Sequence, residues 1–114
     1  MEAKAVHRYI GSSPRKMRLV IDLIRGLSVD KAIEVLHFSS KHSSNPAEKT
    51  LRSAVANLMN KDEATRMEPE DLYIKEAFVN QGPTVKRISP APMGRAYRIR
   101  KRSCHLTIVV ATKV

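Results

Sequence analysis

A chain of 114 residues has room for one domain built around one modest core. Its 21 Lys and Arg stand against 11 Asp and Glu, a formal net charge of +10 at pH 7, and such an excess makes a compact chain repel itself unless a polyanion offsets it. One cysteine, Cys104, excludes an internal disulfide and with it a stapled secreted scaffold, and no stretch approaches the roughly 20 apolar residues of a membrane helix.

Residues Met1 to Ile10 carry Glu2, Lys4, His7 and Arg8 and so lack the apolar run of a secretory signal; with the lone cysteine this predicts a reducing, cytoplasmic setting and no membrane partner. The partly alternating stretch Ala3 to Ile10 predicts an opening strand, and Gly11-Ser12-Ser13-Pro14 a turn into a helix, with Ser13 as cap and Pro14 at the first helical position. Met17, Val20, Ile21 and Ile24 recur at helical spacing, and Gly26 is placed to end that helix. Ser28 caps a second helix whose apolar face is Val29, Ala32, Ile33 and Leu36. After the polar run Ser39 to Ser44, the pattern Asn45, Pro46, Glu48 resembles a capping box and starts a third helix that buries Ala47, Leu51, Ala54, Val55, Leu58 and Met59. Lys61 to Glu70, charged and containing Pro69, reads as a connector, and Leu72 to Val79 and Cys104 to Thr112 read as strands. In the last strand Cys104, Leu106, Ile108 and Val110 share the face that covers the helices, while His105, Thr107 and Val109 share the other. The expected fold is α+β: three helices packed on a small antiparallel sheet, with a long protruding β-hairpin. The whole chain, 1–114, is expected to be a single domain, its globular body 1–79 and 104–114 and its extended basic hairpin 80–103.

The charge is segregated. Met1 to Glu76 holds thirteen Lys and Arg and all eleven acids, a net of +2; Ala77 to Val114 holds no acid and eight basic residues, which supply the remaining +8. Seven of those eight, Lys86, Arg87, Arg95, Arg98, Arg100, Lys101 and Arg102, lie in the hairpin. Ser89-Pro90-Ala91-Pro92-Met93-Gly94 is its natural tip, and arms of about ten residues at roughly 3.3 Å each project about 30 to 35 Å. An isolated two-stranded hairpin is marginal in water even without mutually repelling cations, so this one needs a partner to stay ordered. Period-two alternation puts Arg98, Arg100 and Arg102 on one face and Lys101 on the other, and splits Lys86 from Arg87. A flat anionic surface calls for one basic face. Two basic faces suit a finger inserted among phosphates, the geometry folded RNA offers. The plainer reading is a solvated, disordered loop, as charge runs often are.

A second cationic site is the first helix start, where Arg15, Lys16 and Arg18 crowd the positive end of the macrodipole at a cost of about 0.3 to 1 kcal/mol per charge; an incoming phosphate reverses that sign, whereas solvent screening merely tolerates it. The four glycines are too dispersed for a phosphate-binding loop. Cys104 and the histidines His7, His37, His42 and His105 lack metal-ligand spacing, so neither a metal nor any other cofactor is expected. With two Phe, three Tyr and no Trp, base-reading by rows of aromatics is not expected; Tyr97, between Arg95 and Arg98, is the aromatic placed to stack on a base.

The segments Ser13-Pro14-Arg15-Lys16-Met17-Arg18-Leu19-Val20, Ile24-Arg25-Gly26, Asp71 to Val79, Gly82-Pro83-Thr84-Val85-Lys86-Arg87, Gly94 to Ser103 and Leu106 to Val110 occur in the order and spacing of the bacterial-type large-subunit ribosomal protein L twenty-two family, which the chain resembles over nearly its whole length. The resemblance implies a non-catalytic structural protein of the cytoplasmic ribosome that binds large-subunit ribosomal RNA and supports its assembly. Its partners would be that RNA, neighbouring ribosomal proteins and the nascent peptide, with no homo-oligomer. It adds Arg25 to the RNA-binding set of Arg15, Lys16, Arg18, Lys86, Arg87, Arg95, Tyr97, Arg98, Arg100, Lys101 and Arg102. It also implies that the tip, Lys86, Arg87, Ile88, Ser89, Pro90, Ala91, Pro92, Met93 and Gly94, lines the peptide exit tunnel, with Lys86 and Arg87 at its constriction. Ser89, Ala91 and Met93 depart from the family, whose members often carry basic residues there. Two other classes remain: an architectural DNA binder whose arm-tip proline wedges between base steps, and an RNA-acting enzyme using Asp71, Glu76 or His105, for which no paired carboxylate or motif speaks.

Overall fold

The computed structural model describes residues 2–61, 71–90 and 92–112. In chain order they form strand β1 (Glu2–Ile10), helices α1 (Pro14–Ile24), α2 (Val29–His37) and α3 (Ser44–Lys61), strands β2 (Leu72–Gln81), β3 (Val85–Pro90) and β4 (Ala96–Lys101) joined by a short turn at Pro92–Gly94, and strand β5 (Cys104–Thr112). The fold is α+β, three helices on a small antiparallel sheet with a separate two-stranded hairpin. Most of the expected connector after Lys61, and the tip residue Ala91, lie outside the described residues.

The helices follow from local chemistry. Pro14 occupies the first turn of α1, the Ser13 hydroxyl accepts the Lys16 N–H at 3.4 Å, and Gly26 at φ 84° takes the left-handed backbone that turns the chain out of the helix. Ser28 opens α2 without a side-chain cap; an isolated β-bridge ties it to Tyr73. The third helix starts at Ser44, and Asn45 and Glu48 do not form the expected box. The Ser44 hydroxyl donates to the Lys41 carbonyl at 2.6 Å, and the largely covered Glu48 carboxylate turns to Arg52 Nη2 at 2.9 Å and to His37 at 3.4 Å. The Arg52 guanidinium holds the Glu48 carboxyl below its ordinary pKa.

Strand β5 is the centre of a three-stranded sheet ordered β1-β5-β2. Its Cys104, Leu106, Ile108 and Val110 face the helices and meet Met17, Ile21, Ile24, Leu36, Leu51 and Leu58, all fully or almost fully buried. Each large side chain so removed from water contributes about 1.5 to 3 kcal/mol. Ile33, Val55 and Met59, expected in the core, are instead half-buried on its rim, where they line a groove between α2 and α3. Burial also raises the Cys104 thiol above its ordinary pKa, against a small opposing pull from the Arg18 charge. Because the thiolate is the reactive form, Cys104 should be silent to a thiol reagent in the native state and titrate as one thiol per chain only when guanidinium unfolds it; fast native labelling would contradict the buried placement.

Both sheet edges are closed by helix side chains. Along β2, Arg18 Nη2 donates to the Val79 carbonyl at 3.0 Å, Arg25 donates through Nε (3.1 Å) and Nη2 (2.7 Å) to the Ala77 carbonyl, and the Ile74 N–H reaches the Leu27 carbonyl at 3.0 Å. Along β1, Asn57 Nδ2 donates to the Lys4 carbonyl and Lys61 Nζ to the Glu2 carbonyl, both at 3.0 Å. Capped carbonyls two residues apart on each outer strand leave little free edge to template another strand.

The opposite sheet face carries no helix. Across it run three rungs: Lys4, Val109 and Glu76; Val6, Thr107 and Phe78; and His105 beside Asn80. A β-bulge between His7 and Ile10 reverses the alternation of β1, so that Ala3 and Ala5 are buried before it and Ile10 after it. At this bulge Tyr9 has φ 58°, its N–H donates to His105 Nδ1 at 3.0 Å, and its ring meets the imidazole edge-on with centroids 5.0 Å apart.

Candidate nucleic-acid interface

The Cα radius of gyration is 17.2 Å and the longest dimension 66 Å, whereas a compact chain of this length has a radius near 13 Å. The excess is the finger formed by β3 and β4, which pair with each other as a sheet of their own. Its root is fixed by two hydrogen bonds: the Gly82 N–H donates to the Ser103 carbonyl at 3.0 Å, and the Ser103 hydroxyl donates to the Pro83 carbonyl at 2.6 Å. A Cβ on Gly82 would lie 2.6 Å from the Ser103 Oγ and 3.2 Å from its carbonyl carbon, so a side chain at position 82 would displace the Ser103 hydroxyl and press the two arms apart by a few tenths of an ångström.

The register pairs Val85 with Lys101, Lys86 with Arg100, Arg87 with Ile99, Ile88 with Arg98, Ser89 with Tyr97 and Pro90 with Ala96. Opposed residues share a face. One face therefore carries Lys86, Arg98 and Arg100 around Ile88. The other carries Arg87 and Lys101 beside Val85, Ile99 and Tyr97. Lys86 and Arg100 are like charges placed directly opposite, an arrangement that destabilises the hairpin. With Arg102, Gln81 and Thr84 they line a cleft of about 310 Å³ at the finger root. The four ion pairs among the described residues join residues of β1, the helices and β2, and none involves a finger cation.

At the tip, Met93 (φ 65°) and Gly94 (φ 70°) both take left-handed backbone, with Met93 93% exposed and Arg95 exposed beside them. Tyr97 is 62% exposed, its ring open to a ligand. Gln81, Thr84 and Ser103 are the root residues that sequence reasoning passed over. Their signal was position alone: polar side chains flanking the change from apolar strand to cationic arm.

The first-helix cations divide into two kinds. Arg15 and Lys16 are exposed in a first turn that contains no acid. Arg18 and Arg25 commit their guanidinium groups to the β2 edge, and Arg25 adds an ion pair to Asp22 at 2.9 Å. Since Arg18 meets Val79 and the later Arg25 meets Ala77, the start of α1 points toward the end of β2 from which the finger springs. Among the described residues no cluster of His, Cys, Asp and Glu is arranged to hold a metal, and no helix is long and apolar enough to cross a membrane.

A family model described as ribosomal protein L22p/L17e matches residues 5–111. Relatives named "Large ribosomal subunit protein uL22" include one from Chlorobium phaeobacteroides (strain BS1), 59% identical over 112 residues that cover 98% of this chain and 96% of that protein. The counterpart from Chlorobaculum tepidum is 54% identical over 96% of this chain and 92% of its own length, and that from Desulfitobacterium hafniense (strain Y51) is 49% identical over 98% and 96%.

Proposed function

Because the chain belongs to the ribosomal protein L22p/L17e family, a structural and non-catalytic one, we propose that it is a constituent of the large ribosomal subunit that binds ribosomal RNA through its finger and the start of α1. The names of its relatives supply the particle; the finger supplies the chemistry. One observation carries the reading: a projecting hairpin with cations on both faces, a like-charge pair at its root and no acid in its sequence. Such an element is offset electrostatically by phosphates on both sides and by little else. Lys86 and Arg100, with Arg102, would bracket one phosphate group at the root cleft. Arg87, Lys101 and Tyr97 would meet RNA on the other side, and Arg15 and Lys16 would add a helix start that favours anions. The tip, from Lys86 to Gly94, would reach the wall of the peptide exit tunnel, with the extended arms bridging separate RNA segments and so supporting assembly.

The test is a salt titration of the full chain on large-subunit ribosomal RNA, with duplex DNA as competitor. If about six phosphates are neutralised, the logarithm of the association constant should fall against that of salt with a slope of about −4 to −5. Duplex DNA should compete poorly. A slope shallower than about −2, or preference for the duplex, would count against an inserted finger and for a surface or DNA-binding arm.

A further inference from the structure

We propose that the open face of the three-stranded sheet is a second RNA site, at which an unpaired stretch of RNA stacks a base on Phe78 and Tyr9 and sets its phosphates on Lys4 and Arg8. The proposal rests on the reading above that the chain binds ribosomal RNA. It concerns a face of the body lined by none of the finger cations.

The groove over this face has a volume of about 570 Å³, within the range that receives small organic groups. Phe78 is 42% exposed, between Ala77 and Val79, which pack into the core from the other face of the strand. Tyr9 is there through strain. An aromatic L-residue at φ 58° is costly, and the bulge turns Tyr9 onto the groove beside Arg8, which alternation from Lys4 and Val6 already places there. Strain of this kind persists where surrounding structure holds it, and it concentrates at binding sites. Its product here is an aromatic ring held against His105, next to a guanidinium.

The charges have a direction. Lys4 and Arg8 line the β1 wall, and neither joins an ion pair among the described residues. Glu76 and Asn80 line the β2 wall. A phosphate is attracted to the first wall and repelled by Glu76 on the second, so a strand crossing the groove keeps its backbone over β1. Its base edge then points at a carboxylate acceptor and an amide, which suit the amino and ring N–H groups of a nucleobase. His105 Nδ1 accepts the Tyr9 N–H, which leaves Nε2 as the ring's donor.

Protein partners fit this face less well. Its apolar part, Val6, Phe78, Val109 and the Tyr9 ring, is interleaved with Lys4, Arg8, Glu76 and Asn80, while protein interfaces deplete charge at their centres. Location favours RNA too. Asn80 lines the groove and its neighbour Gln81 lines the cationic cleft, so the two sites flank the finger root on opposite sides, and RNA surrounding that root reaches both.

The test uses the full chain, a single-stranded RNA decamer and a duplex RNA of equal length, with Tyr9→Gly and Phe78→Leu as variants. Glycine takes φ 58° without penalty, so Tyr9→Gly should melt no lower than the parent while losing the ring. Each variant should bind the decamer about tenfold more weakly with an unchanged salt slope, because stacking releases no counterions. Decamer binding equal to the parent's in both variants overturns the proposal and leaves the finger reading intact. So does unchanged decamer binding with lost binding to proteins extracted from the large subunit, which makes the face a protein site. A parent chain that binds neither RNA overturns both readings.

Discussion

Arg100→Glu is expected to order the free finger and at the same time to weaken binding to large-subunit ribosomal RNA on the order of a hundredfold. The two effects have one cause. Lys86 stands directly opposite position 100, so a carboxylate there converts a repulsive cross-strand pair into an attractive one, and such pairs are worth about 0.2 to 1 kcal/mol. In the complex the same change removes one charge-assisted contact, about 1.5 to 3 kcal/mol, and adds repulsion from phosphate. Amide hydrogen exchange in β3 and β4 should slow in the free protein, while the salt slope becomes shallower by about 1. Arg100→Gln should show the second effect without most of the first. A finger that gains protection with full RNA affinity would mean that the root cleft holds no phosphate.

The paired substitution Arg18→Lys and Arg25→Lys is expected to lower the melting temperature by about 10 °C with little change in the salt slope. Both variants keep the charge, so a purely electrostatic role toward RNA would survive. What they lose is the planar fork, which a lysine ammonium does not reproduce. Arg25 spends two donors on the Ala77 carbonyl, and Arg18 one on that of Val79. Charge-assisted bonds contribute about 1.5 to 3 kcal/mol each, and the half-exposed Arg25 side chain calls for the low end of that range. A lysine ammonium can keep one bond to each carbonyl in poorer geometry, so the net loss is about 2 to 3 kcal/mol, which corresponds to about 10 °C in a domain of this length. An unchanged melting temperature would show that the β2 edge does not depend on these groups.

The contrast between those two predictions marks what the linear chain discloses. Its elements are legible because their determinants are local: Ser13-Pro14 and Gly26 bound α1, Met17, Val20, Ile21 and Ile24 repeat at helical spacing, and the acid-free run with its prolines and Gly94 stands apart as an arm. The first turn of α3 was misjudged since Asn45-Pro46-Glu48 has the form of a cap, while Glu48 finds better partners in Arg52 and, across the α2–α3 gap, His37. Bulges are harder still. Nothing in a period-two pattern announces an inserted residue, so the reversal at Tyr9 and the register shift between Ile74 and Glu76 emerge only from pairing with β5. The employment of Arg18 and Arg25 depends on β2 being an outer strand, a property of the strand order β1-β5-β2 that no local window contains. Sequence groups Arg18 with Arg15 and Lys16 as one basic patch, and the resemblance adds Arg25; geometry gives the guanidinium groups of Arg18 and Arg25 to the β2 edge.

The bare Cα at position 82 acts as the fulcrum of a lever. With an arm of about ten residues, roughly 33 Å long, each degree of tilt at the crossing of Gly82 and Ser103 carries the far end sideways by about half an ångström. A methyl group at position 82, forced against the Ser103 backbone, would thus be felt most at Met93, where not one atom had been altered. Aim is decided at the shoulder, and residues near Met93 are free to vary without spoiling it.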